Sequence, residues 1–177
     1  VTRNYFLSLF LCLTADLCCN ITGLLTKGNT TPAGIFWVHT ANFGEFFFSF
    51  LMSFVFTLYI LHIFGGTSNK KLTVWYCIAF TLITFSEVMV IATQFTGWLY
   101  TIDENAMYHR GSLYPISSAV ALGSLIMNII VIIMHKNSLR KKERTALISY
   151  CVIMVLASTA SALIYGINWI LFGFILT

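Results

Sequence analysis

Apolar residues along this chain fall in long blocks that short polar breaks separate. A helix of about 20 apolar residues suffices to cross ~30 Å of hydrocarbon. The pattern therefore predicts an all-α fold, a polytopic transmembrane helix bundle that forms a single domain over residues 1–177. About six spans are expected, at approximately 5–25, 33–64, 72–95, 113–134, 146–164 and 166–177.

Both ends of the sequence suggest a fragment of a longer protein. The chain begins with Val1 rather than Met, and its sixth apolar block stops at Thr177, well short of a full span. We therefore expect the last span to be incomplete and a C-terminal cytoplasmic output domain to be missing. Within the chain, Thr31 followed by Pro32 is typical of a helix N-cap with proline at the first helical position.

Composition agrees with the membrane prediction. The chain is 58% hydrophobic and 9% charged with a mean hydropathy of +0.85, whereas soluble domains carry about 25% charged residues. An ordinary soluble enzyme is excluded, and the lipid bilayer is the first expected partner. Nucleic acid is not expected, since the net charge of +4 comes from basic residues in the polar breaks. The five cysteines lack metal-ligand spacing, so neither a metal nor a cofactor is predicted.

Lysine and arginine are unevenly divided between the two sides of the predicted bundle. Eight lie at the amino end and in the second and fourth breaks, and two lie in the first and third breaks. The positive-inside rule then predicts a multi-pass protein of the cytoplasmic membrane with its amino terminus in the cytoplasm and the 96–112 break outside. The basic segment 136–144 would anchor the cytoplasmic face, although a contact with anionic lipid is an alternative.

Three carboxylates lie within predicted spans: Asp16, Glu45 and Glu87. An ionisable group near the bilayer centre costs about 2.5–3.5 kcal/mol even on the lowest scales, so each should face the bundle interior or water. Ligand binding is one interpretation. The alternative is that each carboxylate is protonated or hydrogen-bonded to a neighbouring helix and serves packing only.

Polar and small residues recur at helical spacing in three spans, which predicts that these faces meet at a shared interior. The stripes comprise His39, Asn42, Glu45, Ser49, Ser53 and Thr57 in the second span, Thr81, Thr84, Glu87, Ile91 and Gln94 in the third, and Ser117, Ala121, Ser124 and Asn128 in the fourth. An ordinary packing seam between membrane helices would also be rich in such residues.

The position of the polar residues across the membrane favours a binding pocket over a packing seam, because they concentrate in the half of the bundle that is predicted to face outside. The candidate ligand-binding residues are Asp16, Asn20, His39, Asn42, Glu45, Glu87, Gln94 and Asn168. No catalytic residue is assigned, since the chain contains no HExxH, GxSxG or P-loop motif. This segment is therefore not expected to be an enzyme.

The segment 95–114, FTGWLYTIDENAMYHRGSLY, is the most distinctive in the chain. It resembles a signature of the multi-span amino-terminal membrane regions of bacterial signalling proteins. The matching positions are Gly97, Asp103, Asn105, Tyr108, Arg110 and Gly111. Asp16 in the first span and Asn42 near the start of the second are also similar.

The resemblance implies a sensory input module that controls a cytoplasmic output domain, commonly a GGDEF diguanylate cyclase and sometimes a histidine kinase. Its outer face would bind an unknown small-molecule ligand. We expect Arg110 to pair with Asp103 or Glu104 and to fold the 96–112 segment as a lid. A purely structural role for the loop motif is the alternative.

Two further functions compete with the sensor. A small-solute transporter or substrate-binding membrane subunit could use the same carboxylates, and an intramembrane enzyme is a third class without a recognisable catalytic constellation. A homodimer is expected to be possible, because small residues spaced four apart, such as Ala119 with Gly123 and Ala157 with Ser161, permit close helix contacts.

Overall fold

The computed structural model describes residues 2–65 and 70–163. The helices are α1 (Thr2–Thr26), α2 (Pro32–Ile63), α3 (Lys70–Thr96), α4 (Tyr114–Met134) and α5 (Lys141–Leu163). Between α3 and α4 lie two short strands, β1 (Tyr100–Ile102) and β2 (Tyr108–Arg110). All five helices are long and apolar enough to cross a membrane, which confirms the predicted helical bundle. The sixth predicted span, 166–177, and Asn168 lie outside the described residues.

Helix α2 begins where the sequence predicts. The Thr31 hydroxyl accepts a hydrogen bond from the Gly34 N–H at 3.1 Å, and Pro32 occupies the first helical turn, where its missing N–H costs nothing. At 32 residues, α2 is the longest of the helices within residues 2–65 and 70–163. It contacts α1, α3 and α4 and is the central element of the bundle.

Helix α5 begins five residues before the predicted start of its span, inside the basic segment. The side chain of Glu143 accepts a hydrogen bond from the backbone N–H of Arg140 at 3.1 Å, so an acidic group lies at the positive end of the helix. A turn of 3₁₀ helix, Lys136–Ser138, joins α4 to α5. The basic segment is therefore largely helical rather than an open loop.

The bundle has two distinct ends, and the turn after α1 meets the hairpin of β1 and β2 at one of them, where the Gly28 N–H donates to the Ala106 carbonyl oxygen. The hairpin end holds β1, β2 and the turn between α1 and α2. The basic end holds the segment 136–144. A core of apolar side chains fills the interior at the basic end; its buried members are Phe56, Ile60, Leu61, Phe64, Leu72, Val131, Ile132 and Cys151.

The antiparallel hairpin of β1 and β2 packs on the bundle through a second apolar cluster. Tyr100 lies opposite Arg110, and Ile102 lies opposite Tyr108. Leu99 and Tyr100 are buried against Met89 and Val90 of α3, and partly buried aromatic residues of α2 complete the cluster. The ring of Phe46 stacks on that of Tyr100 with centroids 5.3 Å apart. These contacts fix the hairpin along the side of α2.

The outer faces of the bundle expose large apolar side chains, as helices in contact with lipid do. Phe10 on α1, Phe36 on α2, Phe95 on α3 and Leu156 on α5 are examples. A soluble protein of this size rarely exposes apolar surface so extensively. The observation supports insertion of the described helices in a bilayer.

Candidate functional site

A cavity of about 240 Å³ lies at the hairpin end, between α1, α2, α4 and α5. Helix α2 forms one wall, α4 and α5 form the opposite side, and the hairpin with the end of α1 covers the rest. The lining residues of α1 and the following turn are Asn20, Gly23, Leu24 and Lys27, and those of α2 are Val38, Asn42, Glu45, Phe46, Ser49, Phe50, Ser53 and Phe56. The remaining lining residues are Ala106, Tyr108, Arg110, Tyr114, Ser117, Ser118, Ala121, Leu125, Tyr150, Met154 and Ser158.

The polar stripe predicted on the second span faces this cavity over most of its length. Asn42, Glu45, Ser49 and Ser53 line the cavity. Helical spacing of three and four residues places them on one side of α2, as the pattern predicted. Ser117 and Ala121 of the α4 stripe also line the cavity.

Two strand positions of the hairpin contribute polar groups to the cavity. Alternate residues of a strand point to opposite faces, so Tyr108 and Arg110 lie on the cavity side while His109 lies on the other side. The guanidinium carbon of Arg110 is 4.4 Å from the centroid of the Tyr114 ring, within the range of a cation–π interaction. The hairpin thus brings a positive charge to the roof of a cavity whose wall contains Glu45.

Asp103 organises the turn of the hairpin. Its Oδ1 accepts hydrogen bonds from the backbone N–H groups of Asn105 and Met107, each at 2.9 Å, and its Oδ2 lies 3.0 Å from Nε2 of His109. The bond with His109, followed by the two backbone donors, lowers the pKa of this carboxyl below its ordinary value. Asp103 therefore pairs with His109 and serves the turn, while Arg110 points to the cavity.

The glycines of the signature hold the hairpin against the helix ends. Gly97 has φ +67°, and Gly111 donates its N–H to the carbonyl oxygen of Leu99 at 2.8 Å. A Cβ at Gly111 would overlap the backbone oxygens of Trp98 and Gly97. At the tip, the buried Ala106 accepts a hydrogen bond from the Gly28 N–H at 3.2 Å. Most signature residues thus serve to fold the hairpin that covers the cavity. Tyr108 and Arg110 also line the cavity.

Asp16 lies behind the cavity wall rather than on it. The side chain is fully buried, and its Oδ1 accepts a hydrogen bond from the Ser49 hydroxyl at 3.1 Å. Its Oδ2 is buried without a hydrogen-bond partner among the described residues. Glu45 is close enough to interact electrostatically with this carboxyl. The Asp16 carboxyl therefore lies inside the bundle, hydrogen-bonded to the cavity-lining Ser49 and close to the Glu45 carboxylate.

The prediction that the polar stripe of the third span faces the shared interior is wrong. Thr81, Thr84, Ile91 and Gln94 are exposed on α3. Gln94 instead donates its side-chain N–H to the Tyr100 hydroxyl at 2.7 Å, outside the cavity. The physical reason is that the inward face of α3 meets apolar side chains of α2 and the hairpin, with Ser86 and Thr93 as its buried hydroxyl groups.

Two other candidates also lie away from the cavity. His39 is exposed on α2. Glu87 is partly exposed as a residue, although both its carboxylate oxygens are buried and lack a hydrogen-bond partner among the described residues. Of the eight candidate ligand residues, Asn20, Asn42 and Glu45 therefore lie on the cavity surface and remain predicted ligand contacts.

Sequence reasoning missed the contribution of α5. Tyr150, Met154 and Ser158 line the cavity and lie on one face of the helix at intervals of four. That spacing was present in the sequence, but two of the three residues are large and apolar or aromatic, so the face carries no polar signal. The sequence did place Asn128 on the stripe of the fourth span and Thr57 on that of the second. The buried Asn128 Nδ2 donates to the Thr57 hydroxyl at 3.1 Å and links α4 to α2 below the cavity.

The cavity has room for a small molecule and polar as well as apolar lining side chains. No group of three or more His, Cys, Asp or Glu side chains in the part of the chain that the structure describes could hold a metal ion. The five cysteines are free thiols. No protein-family model, curated protein or solved structure matches this chain.

Proposed function

We propose that this chain is the membrane-embedded sensory module of a bacterial signal-transduction protein, and that the cavity at the hairpin end binds the signal. The observation that carries the proposal is the cavity itself, with Glu45 on its wall and Arg110 on its roof. Opposite charges converging on a small concave site are typical of ligand recognition. The hairpin end would face the extracytoplasmic side, because most lysine and arginine residues lie toward the other end.

The same cavity is built from four separate helices and the hairpin, which suits a sensor. A ligand that contacts several helices binds one arrangement of them better than another and so shifts the population of bundle states. Helix α2 supplies the cavity wall and also part of the apolar core at the basic end, so a change at one end reaches the other through a single element. The output would be a cytoplasmic diguanylate cyclase or histidine kinase domain, as the resemblance of the 95–114 segment implies.

The apolar core at the basic end favours sensing over transport. Phe56, Leu61 and Ile132 belong to this core and close the interior between the cavity and the basic end. A transporter would need access to the cavity from each side in turn, so this apolar core would have to open during transport. A substrate-binding membrane subunit would not need it and remains the competing function.

The test is a substitution in a protein that joins this chain to the proposed output domain, read as cellular cyclic dinucleotide or as phosphorylation of the kinase domain. Glu45→Gln should shift the output by several-fold while membrane insertion is unchanged. Glu104→Gln, which alters an exposed carboxylate of the hairpin, is the matched control and should leave the output as it was. Unchanged output in Glu45→Gln, together with solute uptake by proteoliposomes, would contradict the sensor and favour transport.

A further inference from the structure

One ionisable side chain of the bundle is completely enclosed. Asp16 lies in the second half of α1, and its exposed fraction is 0%. Its Oδ1 accepts the hydrogen bond of the Ser49 hydroxyl at 3.1 Å, whereas its Oδ2 has no hydrogen-bond partner among the described residues. One oxygen of this carboxyl therefore lies inside the protein without a group that would compensate a negative charge.

The groups that surround this carboxyl are neutral or negative. Helix α1 packs mainly on α2, which brings the Ser49 hydroxyl and the Glu45 carboxylate to the site. On α1 itself, the thiols of Cys12 and Cys19 are the titratable neighbours of Asp16. Within residues 2–65 and 70–163, no lysine or arginine side chain pairs with the Asp16 carboxyl.

A negative charge on Asp16 would be strongly disfavoured in these surroundings. A charged group that is removed from water needs an opposite charge or several hydrogen bonds, but Asp16 has one hydrogen bond and a carboxylate of the same sign nearby. A metal cation would need several oxygen ligands, and no group of three or more His, Cys, Asp or Glu among the described residues could hold one. A proton needs only the free Oδ2.

The enclosed carboxyl is one hydrogen bond away from the cavity. Ser49, the donor of that bond, lines the cavity, and Glu45 lines it one helical turn away on α2. Two acidic groups that interact do not bind and release protons independently of each other. A proton at Asp16 is therefore linked to the charge on the cavity wall, and the Ser49 hydroxyl connects the two.

Helices α1 and α2 approach each other closely on both sides of this hydrogen bond. A Cβ added at Gly44 would meet the Cys19 thiol, and one added at Gly23 would lie 3.5 Å from the Cβ of Ala41. Small residues of this kind let two membrane helices pack at short range. An ionised Asp16 would have to draw water into this contact or leave it.

Building on the proposed sensory function, we infer that Asp16 is a proton-binding site and that the bound proton holds α1 in the packing seen here. The proton occupies Oδ2, while Oδ1 keeps the hydrogen bond from Ser49. When the proton passes to water, a carboxylate remains beside Glu45 and favours a second arrangement in which α1 separates from α2. The proton is thus a further ligand of the module, linked to the cavity.

The chain supplies the control for a direct test of the protonation state. It contains only two aspartates, the buried Asp16 and Asp103 of the hairpin turn. The 177-residue chain is synthesised with aspartate that is isotopically labelled at its side-chain carboxyl carbon and is placed in lipid nanodiscs. The infrared difference spectrum between the labelled and the unlabelled chain then contains the bands of these two carboxyl groups alone.

At neutral pH, the spectrum should show one protonated acid and one carboxylate. Asp103→Asn leaves the buried site intact and should remove the carboxylate band, because the Asp103 pKa lies below its ordinary value. Asp16→Asn should remove the acid band. Two carboxylate bands in the native chain, or an acid band that survives in Asp16→Asn, would overturn the inference.

The output of this chain, joined to the proposed output domain, tests the link to the sensory function. As the external pH rises through the range in which the acid band disappears, the output should change several-fold. Asp16→Asn keeps a neutral group of the same shape and should abolish that change, whereas the control Asp103→Asn should retain it. A response that persists in Asp16→Asn, or an acid band that never disappears from the folded bundle, would overturn the linkage.

Failure of the proton site and failure of the sensory function give different results. Two carboxylate bands, with output still altered by Glu45→Gln, would overturn the proton site and leave the cavity as a sensory site. An acid band assigned to Asp16, with output unchanged in Glu45→Gln and at every external pH, would overturn the sensory function and leave Asp16 as a proton-binding residue.

Discussion

The two ends of the bundle are built from the same helices but have interiors of opposite character. At the hairpin end, α2 and α4 are separated by a cavity with Glu45, Ser49 and Ser117 on its surface. At the basic end, the same two helices meet through Ile60, Ile132 and other buried apolar side chains. The change occurs within about 15 residues of α2, roughly 20 Å of helix.

The difference shows that one apolar helix can pack differently at its two ends. In α2, a polar residue every three or four positions faces the open interior at one end, while apolar side chains fill the interior at the other. Between them, the Thr57 to Asn128 hydrogen bond marks the boundary. One continuous helix thus joins an open interior at the hairpin end to a closed apolar core at the basic end.

The largest expected effect comes from the apolar core of the basic end. Ile132→Ala should lower the free energy of unfolding by about 2–5 kcal/mol, because it removes methylene groups that are fully buried and leaves a void. The neighbouring Ile133, which is 53% exposed, is a matched control, and Ile133→Ala should cost well under 1 kcal/mol. Detergent-induced unfolding in mixed micelles measures both. Equal losses would contradict the existence of a closed core.

The next effect concerns the roof of the cavity. Gly111→Ala should destabilise the hairpin by about 1–3 kcal/mol, since the new Cβ would meet backbone oxygens that cannot move freely. Gly123 on α4 has open space around it, so Gly123→Ala should be neutral or slightly stabilising. Faster hydrogen exchange at Leu99 and Gly111 amides would report the loosened roof. Unchanged exchange in Gly111→Ala would contradict the proposed packing.

A smaller effect is expected at the boundary between the two ends. Thr57→Val removes the acceptor of the Asn128 side chain and should cost about 0.6 kcal/mol, and no more than about 1.7, the range for hydrogen bonds between membrane helices. Thr81→Val alters a hydroxyl that is bonded only within its own exposed turn and should have no measurable effect. A double-mutant cycle of Thr57→Val with Asn128→Leu measures the coupling. A coupling energy of zero would show that the two helices are not linked there.

The smallest effect is the pH dependence of the hairpin turn. Because the bond with His109 and two backbone donors lower the pKa of Asp103, its contribution to hairpin stability is fully present above the ordinary value of 3.8. That contribution should be lost as pH falls through the lower pKa of the folded hairpin. Exchange of the Asn105 and Met107 amides should therefore accelerate only in acid. Asp103→Ala should remove this pH dependence, and its persistence would contradict the role of the carboxylate.

The sequence predicted the helices of the described region well, because long apolar blocks determine membrane spans whatever their neighbours are. It also predicted the cavity face of α2 from Asn42, Glu45 and Ser49, since helical periodicity fixes which residues share a face. Periodicity does not determine which neighbouring element a helix face packs against. For that reason the similar stripe of α3, with Thr84 and Gln94, is exposed instead of lining the cavity.

The hairpin could not be predicted from the pattern. Each strand is three residues long, which is too short for a recognisable alternation. The pairing of Asp103 with His109 depends on the register of the turn, and the direction of Arg110 depends on the alternation of strand faces. The sequence therefore identified the residues of the loop motif but did not predict that Arg110 lines the cavity and lies over the Tyr114 ring.

The accessibility of one face of α2 tests the central claim most directly. In a chain whose native cysteines are replaced by serine or alanine, single cysteines at Asn42, Ser49 and Thr57 can be labelled with an impermeant, charged thiol reagent added on the hairpin side. The account predicts rapid labelling of Asn42→Cys and Ser49→Cys, which lie at the cavity, and protection of Thr57→Cys, which lies below it. Protection of Ser49→Cys to the same degree as Thr57→Cys would contradict an open cavity at the hairpin end.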